Sequence, residues 1–153
     1  MLQIFSPVGE EADVLLKLAL NSLYLASEKK KTPAFVKAVF ELRALTDSGF
    51  MPDVLACTEC GKYEGPAFRL GPHHGTLLCA ECAEAKGRKP NLDAAALAAV
   101  RHIVLSEADK AFAFNLKGRG LVCLSRTAEE FALCHMDHAP KSLGVLKTVL
   151  PVE

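Results

Sequence analysis

Tryptophan is absent from the 153 residues, tyrosine occurs only twice, and aromatic residues make up 7% of the chain. So thin a supply of large flat side chains favours helix packing over a β-sandwich. Net charge is lacking too, since eighteen lysines and arginines offset eighteen aspartates and glutamates. Affinity for nucleic acid comes largely from surplus cations that neutralise phosphates, so this chain should not bind DNA strongly unaided. No apolar run approaches the roughly 18 to 20 residues needed to span a bilayer. No secretory leader is apparent, which points to a reducing, cytoplasmic setting. A phosphate-cradling glycine loop, a nucleophile elbow and paired metal-binding carboxylates are also missing, so no motif supports an enzyme.

What is present centres on cysteine. Cys57-Thr-Glu-Cys60-Gly61 and Cys79-Ala-Glu-Cys82 are two Cys-x-x-Cys pairs with eighteen residues between Cys60 and Cys79. A two-residue gap in a tight turn lets both sulfurs of a pair face one ion, and a second such turn completes a tetrahedron. Gly61 suits the bend after the second sulfur, where a residue without Cβ avoids strain. Ala83 stands at the matching place in the second turn, which should be less tight. Gly65, Pro66, Gly71, Pro72 and Gly75 break the intervening segment into short extended pieces, as a ribbon needs. Zinc at Cys57, Cys60, Cys79 and Cys82 is the expected cofactor, acting on structure alone; iron also suits four thiolates. Two disulfides would need an oxidising compartment, and a redox Cys-x-x-Cys usually comes singly at a helix start. A degenerate ribbon without metal is the bland alternative.

Half of the residues are hydrophobic and the mean hydropathy is +0.19, enough for a real core and for some surface to be covered by another body. The length suits one domain, or one domain with a small insert. Met1 to Phe5 reads as the tail of an element and Pro7 to Gly9 as a linker. A helix is expected from Glu10 to about Glu28, with apolar residues around most of its circumference and hence burial on several sides. Lys29, Lys30 and Lys31 form a connector, either a phosphate contact or a solvated loop. Thr32 and Pro33 start a second helix, which Gly49 and Pro52 stop. Glu84 to Pro90 is polar and turn-like. Asn91 or Asp93 should cap a third helix through Leu105. Ser106 to Lys117 is ambiguous, a fourth helix should run from near Leu121 to Asp137, and a last short piece should span Leu143 to Val149. Thr127 and Glu130 would make a capping box if that helix began later.

The remaining chemistry-bearing residues have bland readings. His73 and His74 suit a solvated turn at the ribbon tip. Cys134, His135, Asp137 and His138 resemble a second metal cluster, but surface or interface roles fit the two imidazoles better. His102 suits a satisfied structural histidine, and Cys123 and Cys134 suit small buried apolar residues.

The order of parts resembles the bacterial recombination mediator family RecO. Phe40-Glu41-Leu42-Arg43, Gly49-Phe50-Met51-Pro52-Asp53 and Cys57-Thr-Glu-Cys60-Gly61 follow that family's "FELR…LL…GY.PDL..C..CG" run. The Gly75-Thr-Leu-Leu-Cys79-Ala-Glu-Cys82 return matches too, as does His135-Met-Asp-His138 followed by Lys141-Ser142-Leu143. Phe50 stands where Tyr is usual, and Val54 precedes Leu55 at the Pro-Asp-Leu position. The resemblance covers about residues 14–150 and is most specific over 40–82.

It implies a mainly α fold, a helical bundle over 1–153 with a four-cysteine zinc ribbon, a small β-hairpin, inserted at 54–88. Family members begin with an oligonucleotide-binding (OB) barrel that nothing here resembles, so a C-terminal part is expected. The family mediates recombinational repair in DNA damage, binds single-stranded DNA, anneals strands, works on single-strand-binding protein and partners RecR to load RecA. It makes and breaks no covalent bond. The acidic, apolar tail of single-strand-binding protein calls for a greasy groove rimmed by cations. Arg43, Arg101, Lys110, Lys117, Arg119 and Arg126 are rim candidates beside Lys29, Lys30 and Lys31, and each is individually well explained as a solvated charge. A zinc-ribbon adaptor acting on no DNA is the alternative from another class; a thiol oxidoreductase is a third.

Overall fold

The computed structural model describes residues 10–136, 140, 143 and 144, with side chains from 13 onward. The expectations for Met1 to Gly9, Asp137, His138 and most of the last piece fall outside them.

Helix α1 (Glu10–Ser27) and helix α2 (Pro33–Asp47), joined by a short loop, form an antiparallel hairpin. Thr32 accepts the Phe35 amide at its cap and Pro33 opens the first turn, where its missing N–H costs nothing. Helix α2 is the centre of the body: Ala38, Val39, Leu42 and Leu45 are fully buried. It packs on α1, on α4 (Ala94–Leu105) and most extensively on α5 (Gly118–Cys134). Leu124, Ala128 and Phe131 line the buried side of α5, and Leu97, Val100 and Ile103 that of α4. Asp93 caps α4 by accepting the Ala96 amide, one of the two caps anticipated.

Between α2 and α4 the chain makes a three-stranded antiparallel sheet, ordered β2-β1-β3. Strands β1 (Ala67–Leu70) and β2 (Leu77–Cys79) pair Phe68 with Cys79 and Leu70 with Leu77. A short helix α3 (Ala80–Ala85) follows β2 directly. Strand β3 (Leu92–Asp93) closes the other edge of β1, aided by Asn91, whose amide group both donates to and accepts from the Leu70 backbone. Phe68 and Leu70 put the ribbon into the same buried cluster as the helices. The fold is thus mainly α, a helical bundle carrying a small cysteine-bearing ribbon.

Several expectations are corrected. Helix α1 buries Leu15, Leu18, Ala19 and Ser22 but exposes Leu16, Leu20, Leu23 and Tyr24 by more than half. One side is buried, not several, because it packs against α2 and the 3-10 turn Ala108–Lys110. That turn resolves the ambiguous 106–117 segment, with Phe112 buried and Phe114 packed against Phe35. Helix α5 starts at Gly118, a turn before Leu121. Thr127 therefore lies mid-helix, buried, and donates to Asn91 O rather than capping. Of the stretch Glu84 to Pro90, expected to be turn-like, Glu84 and Ala85 still belong to α3, and only from Lys86 is the chain non-helical. Cys134 is exposed and Cys123 half-buried, so neither is a core residue.

Candidate metal centre

The first knuckle is made by local backbone bonds. Gly61 donates to Cys57 O at 2.8 Å, and Cys57 donates to Lys62 O at 2.9 Å. Gly61 takes φ +71°, the left-handed region anticipated for it. Thr58 donates to Leu77 O and ties this loop to β2. The second pair is set differently. Cys79 ends β2 and serves as the N-cap residue of α3, whose first turn carries Cys82. One knuckle is a loop and the other a strand-to-helix junction.

These elements bring the four sulfurs of Cys57, Cys60, Cys79 and Cys82 within 4.8 Å of one another. Cys60 Sγ and Cys79 Sγ stand 3.7 Å apart. Tetrahedral thiolates about 2.3 Å from a zinc ion have edges of about 3.8 Å, so this spacing fits four-sulfur coordination. A disulfide needs about 2.05 Å, and all four cysteines are free. Cys57 and Cys79 are buried, Cys82 is half-buried and Cys60 is exposed. Burial pushes the Cys57 thiol up, but backbone N–H groups of Cys79, Cys60 and Glu59 outweigh it and bring it down to about 6. Cys82 is pushed up to about 12 by the sulfurs of Cys79 and Cys60 and by burial. Four thiolates cannot share so small a space without a cation, and a bound metal deprotonates its thiols outright. The donor set holds no labile oxygen or open position and suits a structural ion. Lys62 pairs with Glu81 at 2.8 Å and Lys86 with Glu59 at 2.6 Å, each linking one knuckle to the other.

The anticipated cationic residues are spread over several elements. Lys31 donates to Phe114 O and Asn115 Oδ1 and lies over the Phe35 ring, so the 29–31 loop abuts the segment leading to Lys117. Lys29 takes φ 51°, and Lys30 donates to the Tyr24 hydroxyl. Lys110 pairs with Glu107. Lys117 and Arg119 flank the start of α5, and Arg126 is exposed further along it. Arg43 is half-buried, bound to Asp47 and to the Ile103 and Ser106 carbonyls at the end of α4. Arg101 is likewise engaged with backbone carbonyls of the ribbon.

The described histidines lie in three settings. His102 Nε2 meets Lys110 O, a satisfied structural role. His135 Nδ1 meets Phe131 O, and its ring packs between Phe50 and Phe131. His73 and His74 are exposed in the turn between β1 and β2, with His73 Nε2 4.0 Å from Cys134 Sγ. Among the described residues, the four ribbon cysteines are the one group of three or more side chains placed to share an ion.

The family model described as "Recombination protein O C terminal" matches residues 2–144. The chain belongs to that family. A DNA repair protein RecO from Acetivibrio thermocellus is 27% identical over 141 residues, 92% of this chain and 56% of the relative. One from Symbiobacterium thermophilum is 27% identical over 146 residues, 94% of this chain and 58% of the relative. A third, from Caldicellulosiruptor bescii, is 31% identical over 80 residues, 52% of this chain and 32% of the relative. The chain therefore spans a little over half the length of the first two RecO relatives.

Proposed function

We propose that this chain is the docking body of a RecO-type recombination mediator in DNA repair. The carrying observation is the family match over residues 2–144, joined to relatives named as DNA repair proteins. In this reading the 54–88 ribbon binds one zinc ion through Cys57, Cys60, Cys79 and Cys82, and the ion only holds the fold. No covalent chemistry is performed. Single-stranded DNA is met mainly by an OB domain outside this chain, which agrees with eighteen cations against eighteen anions here. The helical body receives the acidic tail of single-strand-binding protein and the partner RecR, assisting annealing and RecA loading in the cytoplasm.

A groove of about 340 Å³ between α1 and α2 supports the docking role. It is lined by Ala19, Leu23, Val36 and Phe40, with Lys37 at its side. An apolar slot suits the apolar part of such a tail; Lys37 beside it is engaged by Glu41 and Glu129. Purified chain should bind a labelled peptide of that tail in fluorescence anisotropy, and elemental analysis should find one zinc per chain. Absence of binding to both the peptide and RecR would favour a ribbon adaptor that acts on no DNA. Iron in place of zinc would leave the docking reading intact and change the metal.

A further inference from the structure

Arg101 rises from α4 into the ribbon. Its Nε donates to Val54 O at 2.8 Å, and Nη2 donates to Leu55 O at 2.8 Å and Tyr63 O at 2.7 Å. Its guanidinium also lies 3.9 Å from the centroid of the Tyr63 ring. Val54 and Leu55 lead into the loop that bears Cys57 and Cys60, and Tyr63 leads out of it. One side chain on the helical body thus grips both ends of the first knuckle.

Only a planar fork with several fixed donors can hold three carbonyls this way while stacking on a ring; an ammonium cannot. The second knuckle has no such need, because Cys79 and Cys82 are placed by β2 and α3. The first knuckle is a loop whose bend is fixed by the Gly61 and Lys62 bonds; its angle to the second pair is left to the Thr58 bond to Leu77 O, two exposed ion pairs and the Arg101 grip.

We propose that Arg101 is a positioning residue for the metal centre, aiming Cys57 and Cys60 at the ion without touching it. The inference rests on the reading that the four cysteines hold a divalent ion. Partners outside the ligand shell commonly change metal affinity by about 10- to 100-fold when removed. Coupling runs both ways, so a bound ion also holds Arg101 against the ribbon and away from any outside partner.

The test uses the whole chain, as wild type, R101Q, R101K and R69Q. Arg69 is the matched control, a ribbon arginine that holds a single backbone oxygen, Lys89 O, at 3.3 Å. Zn2+ affinity is read by competition with a chromogenic chelator, and Co2+ supplies a spectrum that reports four-sulfur tetrahedral geometry. R101Q should bind Zn2+ about 10- to 100-fold more weakly, with R101K between it and wild type and R69Q close to wild type. The metal-free wild-type and R101Q chains should share one helical melting curve, which a merely structural arginine would not allow.

R101Q affinity within threefold of wild type overturns the proposal. So does a melting loss equally large without metal and with it. Should R101Q not fold, R101K with wild-type affinity and release rate overturns it in the same way. A wild-type chain that takes up no Zn2+ refutes the metal reading itself, a result separable from any difference among variants.

Discussion

In the helical body, α2 carries Ala38, Val39, Leu42 and Leu45 with no exposed surface, against Leu124, Ala128 and Phe131 of α5. The ribbon has strands of four, three and two residues, and its fully buried side chains are few, chiefly Phe68, Leu70 and Leu77. Burying apolar area is worth roughly 25 cal/mol per Å², so the body can hold itself. A ribbon this small cannot offset its conformational entropy in the same way. Beyond the share of Phe68, Leu70 and Leu77 in the common core, its order depends on what crosses between its parts: four sulfurs, the Thr58 bond to Leu77 O, two ion pairs, the Arg101 grip and the tip contact at Gly75. The two regions should therefore fail separately, under different insults.

The largest effect expected is from Cys79→Ser. Zinc binding is worth roughly 10 to 16 kcal/mol in comparable finger peptides, and one lost thiolate forfeits most of it. Metal content should fall to near zero and amide protection across the ribbon should vanish, while the helical circular dichroism of α1, α2 and α5 largely survives. A cooperative collapse of both regions in this variant would break the comparison. Phe131→Ala is the converse test. It removes a buried ring from the α5 face and should cost about 3–5 kcal/mol in urea unfolding. Because Phe131 also lies 3.5 Å from where a Gly75 Cβ would stand, some loss of ribbon protection should accompany it.

Gly75 sharpens the boundary between the regions. It sits at φ +62°, and a Cβ there would come within 2.8 Å of Pro52 Cα. Its carbonyl accepts the Asp53 amide, so the ribbon tip is fastened to the strap that leaves α2. Gly75→Ala combines a left-handed backbone with a clash against backbone atoms, and a loss of about 1–3 kcal/mol is expected. Hydrogen exchange should show the opening confined to residues near 52 and 75, with zinc stoichiometry unchanged. If the ion leaves as well, the tip and the metal centre form one unit.

Much of this architecture is written in short-range signals. Thr32 with Pro33, Asp93 before an alanine-rich run, and the two Cys-x-x-Cys pairs each act over a turn or two, so one sequence discloses them. The start of α5 is hard to read because Gly118 and Gly120 are poor helix formers, and only packing places Gly120 against Leu116 and Ala95. Strand β3 is two residues long and depends on Asn91 imitating a strand neighbour, which no periodicity announces. The role of Arg101 lay further out of reach. A surface-looking arginine on a helix becomes a clasp only when the fold delivers three distant carbonyls to it. The outer side of α1 teaches the reverse lesson. Its leucines promised burial, and within this chain they remain exposed.

The smallest effect concerns Lys37, whose amine lies 2.8 Å from Glu41 and 2.9 Å from Glu129 and so joins α2 to α5. Burial alone would lower its pKa, but attraction and hydrogen bonds from Glu41 and then Glu129 prevail and hold it above the ordinary 10.5. A raised pKa means that the folded state binds the proton more tightly than the unfolded chain. The resulting stability is fully present below about pH 10.5 and disappears as pH climbs through the folded value. With solvent screening the trio contributes no more than about 1 kcal/mol. Urea midpoints of wild type and Lys37→Met should therefore differ modestly at pH 7 and converge as pH climbs past 10.5 through the folded value. The ribbon carries no part of this trio, so zinc affinity should be the same in both chains at pH 7. A shift in that affinity would mean that the helical body and the ribbon are coupled more tightly than their separate means of support imply.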